Sequence, residues 1–431
     1  MRFSIKDLGC KVNAYEAAWY RQQLLAMGWQ QVDFGQPADV CLINSCTVTN
    51  TAGAKSRQML HAARQANPQA VVAIVGCYVQ MTADQPEILQ DADVVVGSRH
   101  KDMVPALLAQ AVIDRRKVWL VDGLDGCPFE AMPVDRFDHA RAYLKIQDGC
   151  QQFCTYCVIP YARGPQRCLG ADQAIAYAKR LTAAGYREIV LTGIHTGRYR
   201  DGATDLTGLM GLLLSQAEGL QRLRLSSIEM TEITDGLLDL MADDRRIARH
   251  LHIPLQAGSD AILKAMGRPY DTSWFARRLQ EIRRRLPGVS ISTDVIVGFP
   301  GETDELFAQS RRFIAACGFT FLHVFPYAAK AHTPAAVMAG QLPGTVKKAR
   351  VADLTALSHS LYNETASRMV GRTVRVLFET ASDGRLGGHC GEYLTVTAAG
   401  PDSLVHEMAD VVVTGFDGTD LLGRLDRGER A

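Results

Sequence analysis

Three cysteines that follow a short apolar run constrain this chain more than any other feature. The run Ala142 to Gln147 is typical of a buried strand, and it leads into Cys150, Cys154 and Cys157. A Cys-x3-Cys-x2-Cys spacing lets three thiolates converge on one face of a compact loop. Four cysteines would close a cluster, whereas three leave one iron with an open position. We call these residues the central trio; they predict a metal centre that binds and reduces a second molecule, against the alternatives of an incomplete zinc site or coincidence.

Length and composition set only broad limits on function. With 431 residues the chain is too long for one ordinary core, so we expect two or three domains. The formal net charge of +1 gives no global field for a polyanion, so any nucleic-acid surface must be a local patch. The N-terminus lacks the apolar core of a signal peptide and no apolar run could span a bilayer, which predicts a cytoplasmic protein with no membrane partner. In a reducing compartment, clustered members of the eleven cysteines favour metal or redox roles over disulfides.

A second set of three cysteines is predicted to converge near the N-terminus. Residues 1–122 alternate apolar strands with helical patterns, which favours a small parallel sheet with helices on both faces. Cys10, Cys46 and Cys77, here called the N-terminal trio, each follow one of its first three strands. Because the carboxyl ends of parallel strands meet at one edge of a sheet, these thiols should lie close together. Each alone could be a buried apolar residue, but their shared position predicts a second cluster with an exchangeable iron position.

The rest of the chain predicts three further segments. Residues 123–139, rich in Gly, Pro and charge, predict a linker, and residues 140–370 repeat a strand-helix unit that predicts a (β/α)6 partial TIM barrel. Residues 371–431 change to short β-rich runs, which predict a small antiparallel β-barrel. The fold class is therefore α/β, with a small parallel α/β sandwich before the barrel. Polar residues that trail the barrel strands should line its mouth, although each could instead serve local turn hydrogen bonding: His195, Glu229, Gln256 and Asp294.

Two open clusters, a partial barrel and a small β-barrel together resemble the methylthiotransferases, radical S-adenosylmethionine (SAM) enzymes that insert sulfur and a methyl group at unreactive C–H bonds. The resemblance covers nearly the whole chain, and its C-terminal segment is similar to a TRAM domain. It rests on motifs around both trios and in the barrel, namely Leu8-Gly9-Cys10-Lys11-Val12-Asn13, Asn44-Ser45-Cys46-Thr47-Val48-Thr49, Gly76-Cys77-Tyr78, Ile146-Gln147-Asp148-Gly149-Cys150, Tyr161-Ala162-Arg163-Gly164, His252-Ile253-Pro254-Leu255-Gln256-Ala257-Gly258-Ser259 and Asp294-Val295-Ile296-Val297-Gly298-Phe299-Pro300-Gly301-Glu302.

The resemblance implies two [4Fe-4S] clusters, one on each trio, and two SAM molecules in each turnover. The central cluster would reduce SAM to a 5′-deoxyadenosyl radical, and the N-terminal cluster would carry the sulfur. A radical is needed because the target is the aromatic C2–H bond of the substrate base. Its proton is not acidic and its carbon is not electrophilic. The implied partners are the tRNA anticodon stem-loop and an external electron donor such as flavodoxin or ferredoxin. The residues implied to contact SAM are Tyr156, Gly193, Glu229, Gln256 and Asp294, and those implied near the substrate or a cluster are Arg163 and His195.

Three branches of that family differ in substrate. The segments 8–13 and 192–197 resemble the branch that acts on N6-threonylcarbamoyladenosine at position 37 of tRNA. The isopentenyladenosine branch typically has Gln-Asn-Val-Asn where this chain has Ile194-His195-Thr196, and the branch that modifies a ribosomal-protein aspartate usually has proline where this chain has Lys11.

Two alternatives stay open. Residues 371–431 contain ten acidic residues and six arginines, which suits a basic protein partner better than RNA and keeps the ribosomal-protein substrate in view. The second alternative is a non-catalytic RNA-binding protein with structural zinc. It is disfavoured because both trios lack the fourth ligand that closes a structural zinc site.

Overall fold

A parallel sheet with helices on both faces forms the N-terminal part of the computed structural model, which describes residues 1–47 and 50–426. Its strands are β1 (Arg2–Asp7), β2 (Gln30–Gln31), β3 (Val40–Ser45), β4 (Val71–Gly76), β5 (Val94–Val96) and β6 (Val118–Leu120), and its helices are α1 (Lys11–Ala26), α2 (Asn50–Ala66), α3 (Cys77–Met81) and α4 (Val104–Asp114). The strand order is β2-β1-β3-β4-β5-β6. Every residue of β3 and β4 is buried, as expected of apolar strands covered on both faces. Val48 and Thr49, part of one cysteine motif, lie outside the described residues.

The central part contains six main strands and two short pairs. The strands are β7 (Arg141–Lys145), β8 (Gln147–Asp148), β9 (Arg167–Cys168), β10 (Glu188–Thr192), β11 (Arg200–Asp201), β12 (Thr204–Asp205), β13 (Arg222–Leu225), β14 (His250–His252), β15 (Ser290–Val297) and β16 (Phe321–Pro326). The helices are α5 (Ile159–Arg163), α6 (Ala171–Ala183), α7 (Leu206–Gln216), α8 (Asp235–Asp243), α9 (Asp260–Ala265), α10 (Thr272–Arg285) and α11 (Asp304–Ala316).

The six main strands form two parallel sheets, β13-β10-β7 and β14-β15-β16. Between them, the backbone N–H of Ile228 donates to the carbonyl of His252 at 3.0 Å. Helices follow the strands and cover the outer surface with apolar faces, for example Leu209 and Leu213 of α7, which are fully buried. This arrangement confirms the predicted α/β class and the (β/α)6 partial barrel.

The C-terminal part begins with the long helix α12 (Gly344–Ser367) and ends in a closed β-barrel. Its strands are β17 (Thr373–Ser382), β18 (Arg385–Cys390), β19 (Thr395–Ala399), β20 (Met408–Phe416) and β21 (Leu421–Leu425), in the closed order β17-β18-β19-β21-β20. The barrel was expected to be antiparallel, but the β19–β21 pair is parallel. Five strands in a ring cannot all alternate in direction, so one parallel pair is geometrically required.

Acidic residues of this β-barrel contact arginines of the central part. Glu379 lies 3.3 Å from Arg141 and Glu407 lies 3.0 Å from Arg187, measured between carboxylate oxygens and guanidinium nitrogens. Part of the acidity of the C-terminal segment therefore serves contact within the chain, which weakens the inference from that acidity to a basic protein partner.

The predicted linker packs against both neighbouring parts. Within 123–139 the structure has neither helix nor strand, yet the ring of Phe137 lies 6.2 Å from that of Tyr15 in α1 and 5.8 Å from that of Tyr143 in β7. The segment thus fixes the N-terminal sheet against the partial barrel. The domain boundaries stay predictions. Across the described residues, no helix combines the length and apolarity needed to cross a membrane.

Candidate active site

One cavity of about 750 Å³ is lined by all six cysteines of the two trios. The N-terminal trio follows β1, β3 and β4, which are neighbours in the sheet, so their carboxyl ends bring the three thiols to one edge. The central trio lies in the loop between β8 and α5. Of the cysteines in the described part of the chain, the other five do not line this cavity.

Two glycines allow the cysteine loops to approach neighbouring segments closely. Gly9 has φ +142°, and a Cβ there would lie 3.0 Å from Cys46 Sγ. Gly149 has φ +77°, and a Cβ there would lie only 2.1 Å from the carbonyl oxygen of Pro165. Any side chain at either position would therefore displace the turn that presents a cysteine of each trio.

Asn13 and Arg163 join the N-terminal trio to the barrel. The Asn13 side-chain amide donates to the carbonyls of Leu8 (3.0 Å) and Ser45 (2.9 Å), which tie the loops after β1 and β3 together. Arg163 Nη2 donates to Asn13 Oδ1 at 2.7 Å, and its Nε donates to Cys77 Sγ at 3.2 Å. Arg163, expected near the substrate or a cluster, therefore contacts a cysteine of the N-terminal trio directly.

A buried ion network lies directly behind Arg163. Glu16 Oε1 accepts from Lys101 Nζ (2.5 Å), Lys145 Nζ (3.0 Å) and Arg163 Nη1 (3.1 Å). Asp148 accepts from the same Lys145 at 2.9 Å and from Arg163 at 3.2 Å. Burial alone would raise the pKa of both carboxyl groups, but the cations beside them hold each pKa well below its usual range. The network joins residues of the N-terminal sheet to residues of the barrel, so it fixes the two trios relative to each other.

His195 lies between a cysteine of the central trio and a carboxylate. Its Nδ1 is 3.3 Å from Cys150 Sγ, and its Nε2 is 2.7 Å from Glu232 Oε1. Burial alone would lower the pKa of His195, but the hydrogen bonds to Cys150 and Glu232 raise it to about 9. The raised pKa favours the doubly protonated ring, in which Nδ1–H donates toward the sulfur.

Arg268 is the corresponding donor to a second cysteine of the central trio. Its Nη1 donates to Cys154 Sγ at 3.5 Å, while its Nη2 forms an ion pair with Glu229. Tyr270 accepts from Arg268 Nε at 3.0 Å and fixes the guanidinium. Glu229, expected to contact SAM, thus lines the cavity already paired with a cation, and Tyr156 lines the same wall.

The three remaining predicted SAM residues also line the cavity. A Cβ on Gly193 would lie 3.0 Å from the carbonyl oxygen of Gln147, so a glycine keeps β10 close to the cysteine loop. Gln256 has φ +71°, and its N–H donates to the carbonyl of Asp294 at 2.9 Å. Their roles toward SAM stay predictions.

Tyr393 is a cavity residue that the sequence did not suggest. It comes from the turn between β18 and β19 of the C-terminal β-barrel and stacks on His250 of the partial barrel, with ring centroids 4.9 Å apart. The Arg224 guanidinium lies 4.9 Å from the Tyr393 ring centroid and donates to the carbonyl of Cys390 at 3.0 Å. The C-terminal β-barrel therefore contributes part of the cavity wall. Tyr393 has φ +68°, but no sequence pattern marks it.

The donor set of each trio fits an iron–sulfur cluster with one open iron. Each trio offers three soft thiol ligands and an N–H donor beside at least one sulfur. Burial raises the pKa of Cys154, and it raises the pKa of Cys157 to about 12, so these thiols are protonated until a metal displaces the protons. Within residues 1–47 and 50–426, no cysteine outside the two trios lines the cavity, so neither trio has a fourth cysteine there.

A partial barrel with a Cys-x3-Cys-x2-Cys loop at its mouth defines a radical-SAM enzyme, and residues 144–314 match the Radical SAM superfamily. Residues 2–97 match a second family, described as Uncharacterized protein family UPF0004. The fold is similar to that of the radical S-adenosylmethionine methyltransferase TsrM from Kitasatospora setae, with a TM-score of 0.57, 14% identity, and coverage of 90% of this chain and 80% of that chain.

The chain is also similar to curated tRNA-modifying enzymes over nearly its full length. It is 39% identical to the threonylcarbamoyladenosine tRNA methylthiotransferase MtaB of Bacillus subtilis over 94% of this chain and 92% of that protein. It is 30% identical to the tRNA-2-methylthio-N(6)-dimethylallyladenosine synthase of Anoxybacillus flavithermus over 96% of this chain and 80% of that protein. The chain therefore belongs to the radical-SAM methylthiotransferase family.

Proposed function

We propose that this enzyme inserts a methylthio group at C2 of N6-threonylcarbamoyladenosine at position 37 of tRNA. The observation that carries the proposal is that two three-cysteine sites line one cavity. Joining sulfur to an unreactive carbon needs a radical source and a sulfur source within reach of one substrate atom. The higher identity to the threonylcarbamoyladenosine enzyme (39%) than to the dimethylallyladenosine enzyme (30%) supports this substrate.

The two trios would hold separate [4Fe-4S] clusters with different tasks. When bound, the central cluster supplies the electron that cleaves SAM, and the N-terminal cluster supplies the sulfur, with a second SAM as the methyl source. His195 and Arg268 donate hydrogen bonds toward sulfurs of the central trio, and Arg163 donates toward Cys77. Each donor stabilises the thiolate form of the cysteine that it contacts, namely Cys150, Cys154 or Cys77. The proposed SAM contacts are Tyr156, Gly193, Glu229 and Gln256.

The proposed partners follow from this chemistry. The substrate is the anticodon stem-loop of a tRNA, which places the reaction in the cytoplasm. Cleaving SAM consumes an electron that the chain does not make, so an external donor such as flavodoxin or ferredoxin is required.

Anaerobic reconstitution tests the proposal. The chain is loaded with iron and sulfide, then incubated with SAM, reductant and tRNA that carries the threonylcarbamoyl modification. Mass spectrometry of the digested nucleosides should show the 2-methylthio product together with 5′-deoxyadenosine and S-adenosylhomocysteine. Zinc in place of iron and no consumption of SAM would support the non-catalytic alternative, and a product from dimethylallyl tRNA alone would refute the substrate.

Cysteine variants separate the two sites. Cys77→Ala should still cleave SAM to 5′-deoxyadenosine but form no methylthio product, whereas Cys154→Ala should do neither. Cys168→Ala is the matched control because Cys168 does not line the cavity. A Cys77→Ala enzyme that retains full methylthiolation would remove the N-terminal trio from the mechanism.

A further inference from the structure

Three polar side chains from the sheet β14-β15-β16 line the cavity. His252, Asp294 and His323 come from β14, β15 and β16, and one ligand atom of each lies within 4.8 Å of the others. We call them the lumen cluster. The roles proposed above for the two trios use none of these side chains, although all three line the same cavity.

The lumen cluster is held in place from behind and keeps polar atoms for a ligand. His252 Nδ1 lies 2.9 Å from Ser292 Oγ, which directs His252 Nε2 toward Asp294 Oδ1 at 3.2 Å. The exposed ring of His323 packs edge-on against Phe321 at 5.3 Å. Its two nitrogens form no hydrogen bond to any of the described residues.

Lys11 adds a positive charge from the N-terminal sheet. It is the exposed first residue of α1, it lines the cavity, and no carboxylate of the described residues forms an ion pair with it. Lys11 and His323 line the same cavity, so both side chains are available to one bound ligand. Arg224, another cationic cavity residue, is instead neutralised by Glu188 at 2.7 Å.

The two substituents that distinguish the related tRNA substrates differ in polarity. The threonylcarbamoyl group carries a carboxylate, a hydroxyl and a urea N–H, whereas the dimethylallyl group is a hydrocarbon. A pocket that hydrogen-bonds a substrate rejects an analogue without those atoms, because its own polar groups are then left without partners. A cationic donor, an imidazole donor and a carboxylate acceptor are therefore suited to the threonylcarbamoyl group and unsuited to the dimethylallyl group.

We propose that Lys11 and the lumen cluster form the pocket that selects the threonylcarbamoyl group. Lys11 and His323 donate to its carboxylate, and Asp294 accepts from its hydroxyl or urea N–H. This inference rests on the proposed function and deepens it, because it names the residues that separate the two tRNA substrates. It also reassigns Asp294 from SAM to the substrate.

The test measures binding of two RNAs that differ only in the substituent. Anticodon stem-loops with threonylcarbamoyladenosine or dimethylallyladenosine are bound to the cluster-loaded enzyme without reductant, and Kd is measured by fluorescence anisotropy. Phosphate contacts are the same in both RNAs, so they cancel in the ratio of the two Kd values. His323→Leu should weaken binding of the threonylcarbamoyl RNA by about 10- to 100-fold, because a hydrogen bond to a charged group is lost. Binding of the dimethylallyl RNA should stay unchanged or tighten.

His323→Gln is the conservative variant and His359→Leu the matched control. The glutamine keeps an N–H donor and should restore part of the lost affinity, and His359 is an exposed residue of α12 away from the cavity. The inference would be overturned if His323→Leu weakened the binding of both RNAs equally, or if it changed neither Kd. Wild-type enzyme that fails to modify the threonylcarbamoyl RNA would instead overturn the proposed function.

The spacing of these three side chains also suits a divalent cation, and a metal analysis distinguishes a cation site from a substrate pocket. Plasma mass spectrometry of the wild-type enzyme, dialysed against Zn²⁺ and then washed, should find no more zinc than in His323→Leu. One zinc ion per chain that is lost in this variant would overturn direct recognition of the carboxylate in favour of a metal site.

Discussion

Replacing Glu16 with glutamine tests whether buried charge holds the two trios together. Glu16 is fully buried, and its Oε1 accepts from three cations, the closest being Lys101 Nζ at 2.5 Å. Glutamine keeps the shape of the side chain but removes the charge, so Asp148 becomes the only carboxylate of the network. Removing one partner from a buried ion network costs about 3–5 kcal/mol, because the remaining charges stay desolvated. We expect the free energy of unfolding of Glu16→Gln to fall by that amount.

Two measurements report the effect of this substitution, one on the stability of the fold and one on the cysteine sites. Urea unfolding under anaerobic conditions gives the change in free energy, and iron analysis gives the content of clusters. Because Glu16 anchors Arg163 and Arg163 donates to Cys77, the variant should also lose iron from the N-terminal trio. Iron per chain should fall from about eight toward about four, while the central trio still cleaves SAM.

A control and a double variant make the Glu16 prediction refutable. Glu218→Gln makes the same chemical change at an exposed position and should alter stability by less than about 0.5 kcal/mol. Adding Lys101→Met to Glu16→Gln removes one of the stranded cations, so the double variant should be no less stable than Glu16→Gln alone. A loss below about 1 kcal/mol in Glu16→Gln, or additive losses in the double variant, would refute the reasoning.

Three further predictions concern other parts of the site. Burial alone would raise the pKa of Glu188, but arginines on β13 lower it from 4.5 to about 2. The contribution of Glu188 to the free energy of unfolding is therefore complete above pH 4.5 and is lost as the pH falls toward 2. Unfolding experiments across that range should show a loss of about 3 kcal/mol. Gly149→Ala should abolish SAM cleavage and iron binding at the central trio, measured by iron analysis, because its Cβ would meet a carbonyl at 2.1 Å. Arg268→Met should lower the reduction potential of the central cluster by about 50 mV in an EPR-monitored titration, because the N–H donor to Cys154 is lost; an unchanged potential would contradict this.

The sequence predicted those features that depend on local pattern and on parallel topology. The N-terminal trio illustrates the second case, because knowing that β1, β3 and β4 are parallel is enough to place Cys10, Cys46 and Cys77 at one edge. The barrel helices illustrate the first, since the repeated strand-helix pattern of residues 140–370 predicted helices after the strands, and α6 (Ala171–Ala183) is one of them. Both inferences use only spacing, which a single sequence contains.

Contacts between distant segments could not be predicted in this way. Glu16 and Arg163 meet although 147 positions separate them, and neither has a sequence neighbour that signals the pairing. Arg268 follows a helix end like many other arginines, so only its contact with Cys154 marks it as part of the site. Tyr393 could not be predicted for the same reason. Nothing in its neighbouring sequence indicates that a turn of the C-terminal β-barrel reaches the cavity lined by the two trios. The acidity of that barrel is partly explained by contacts within the chain, which Glu379 and Glu407 make with arginines of the central part.

Charged contacts, and not apolar surfaces alone, fix the three parts of this chain to one another. The proposed reaction explains why a fixed orientation is needed. At the interface between the N-terminal sheet and the partial barrel, Glu16 accepts from cations on both sides. At the interface between the partial barrel and the C-terminal β-barrel, Glu188 pairs with Arg224, whose guanidinium also donates to a carbonyl of the C-terminal β-barrel. Apolar surfaces tolerate sliding, whereas a buried carboxylate stays satisfied only where its donors meet it, so such contacts favour one orientation. A reaction in which a substrate carbon must lie within reach of both trios loses much of its rate when they shift by an ångström. The buried charge therefore serves the geometry of the cavity more than the stability of the fold.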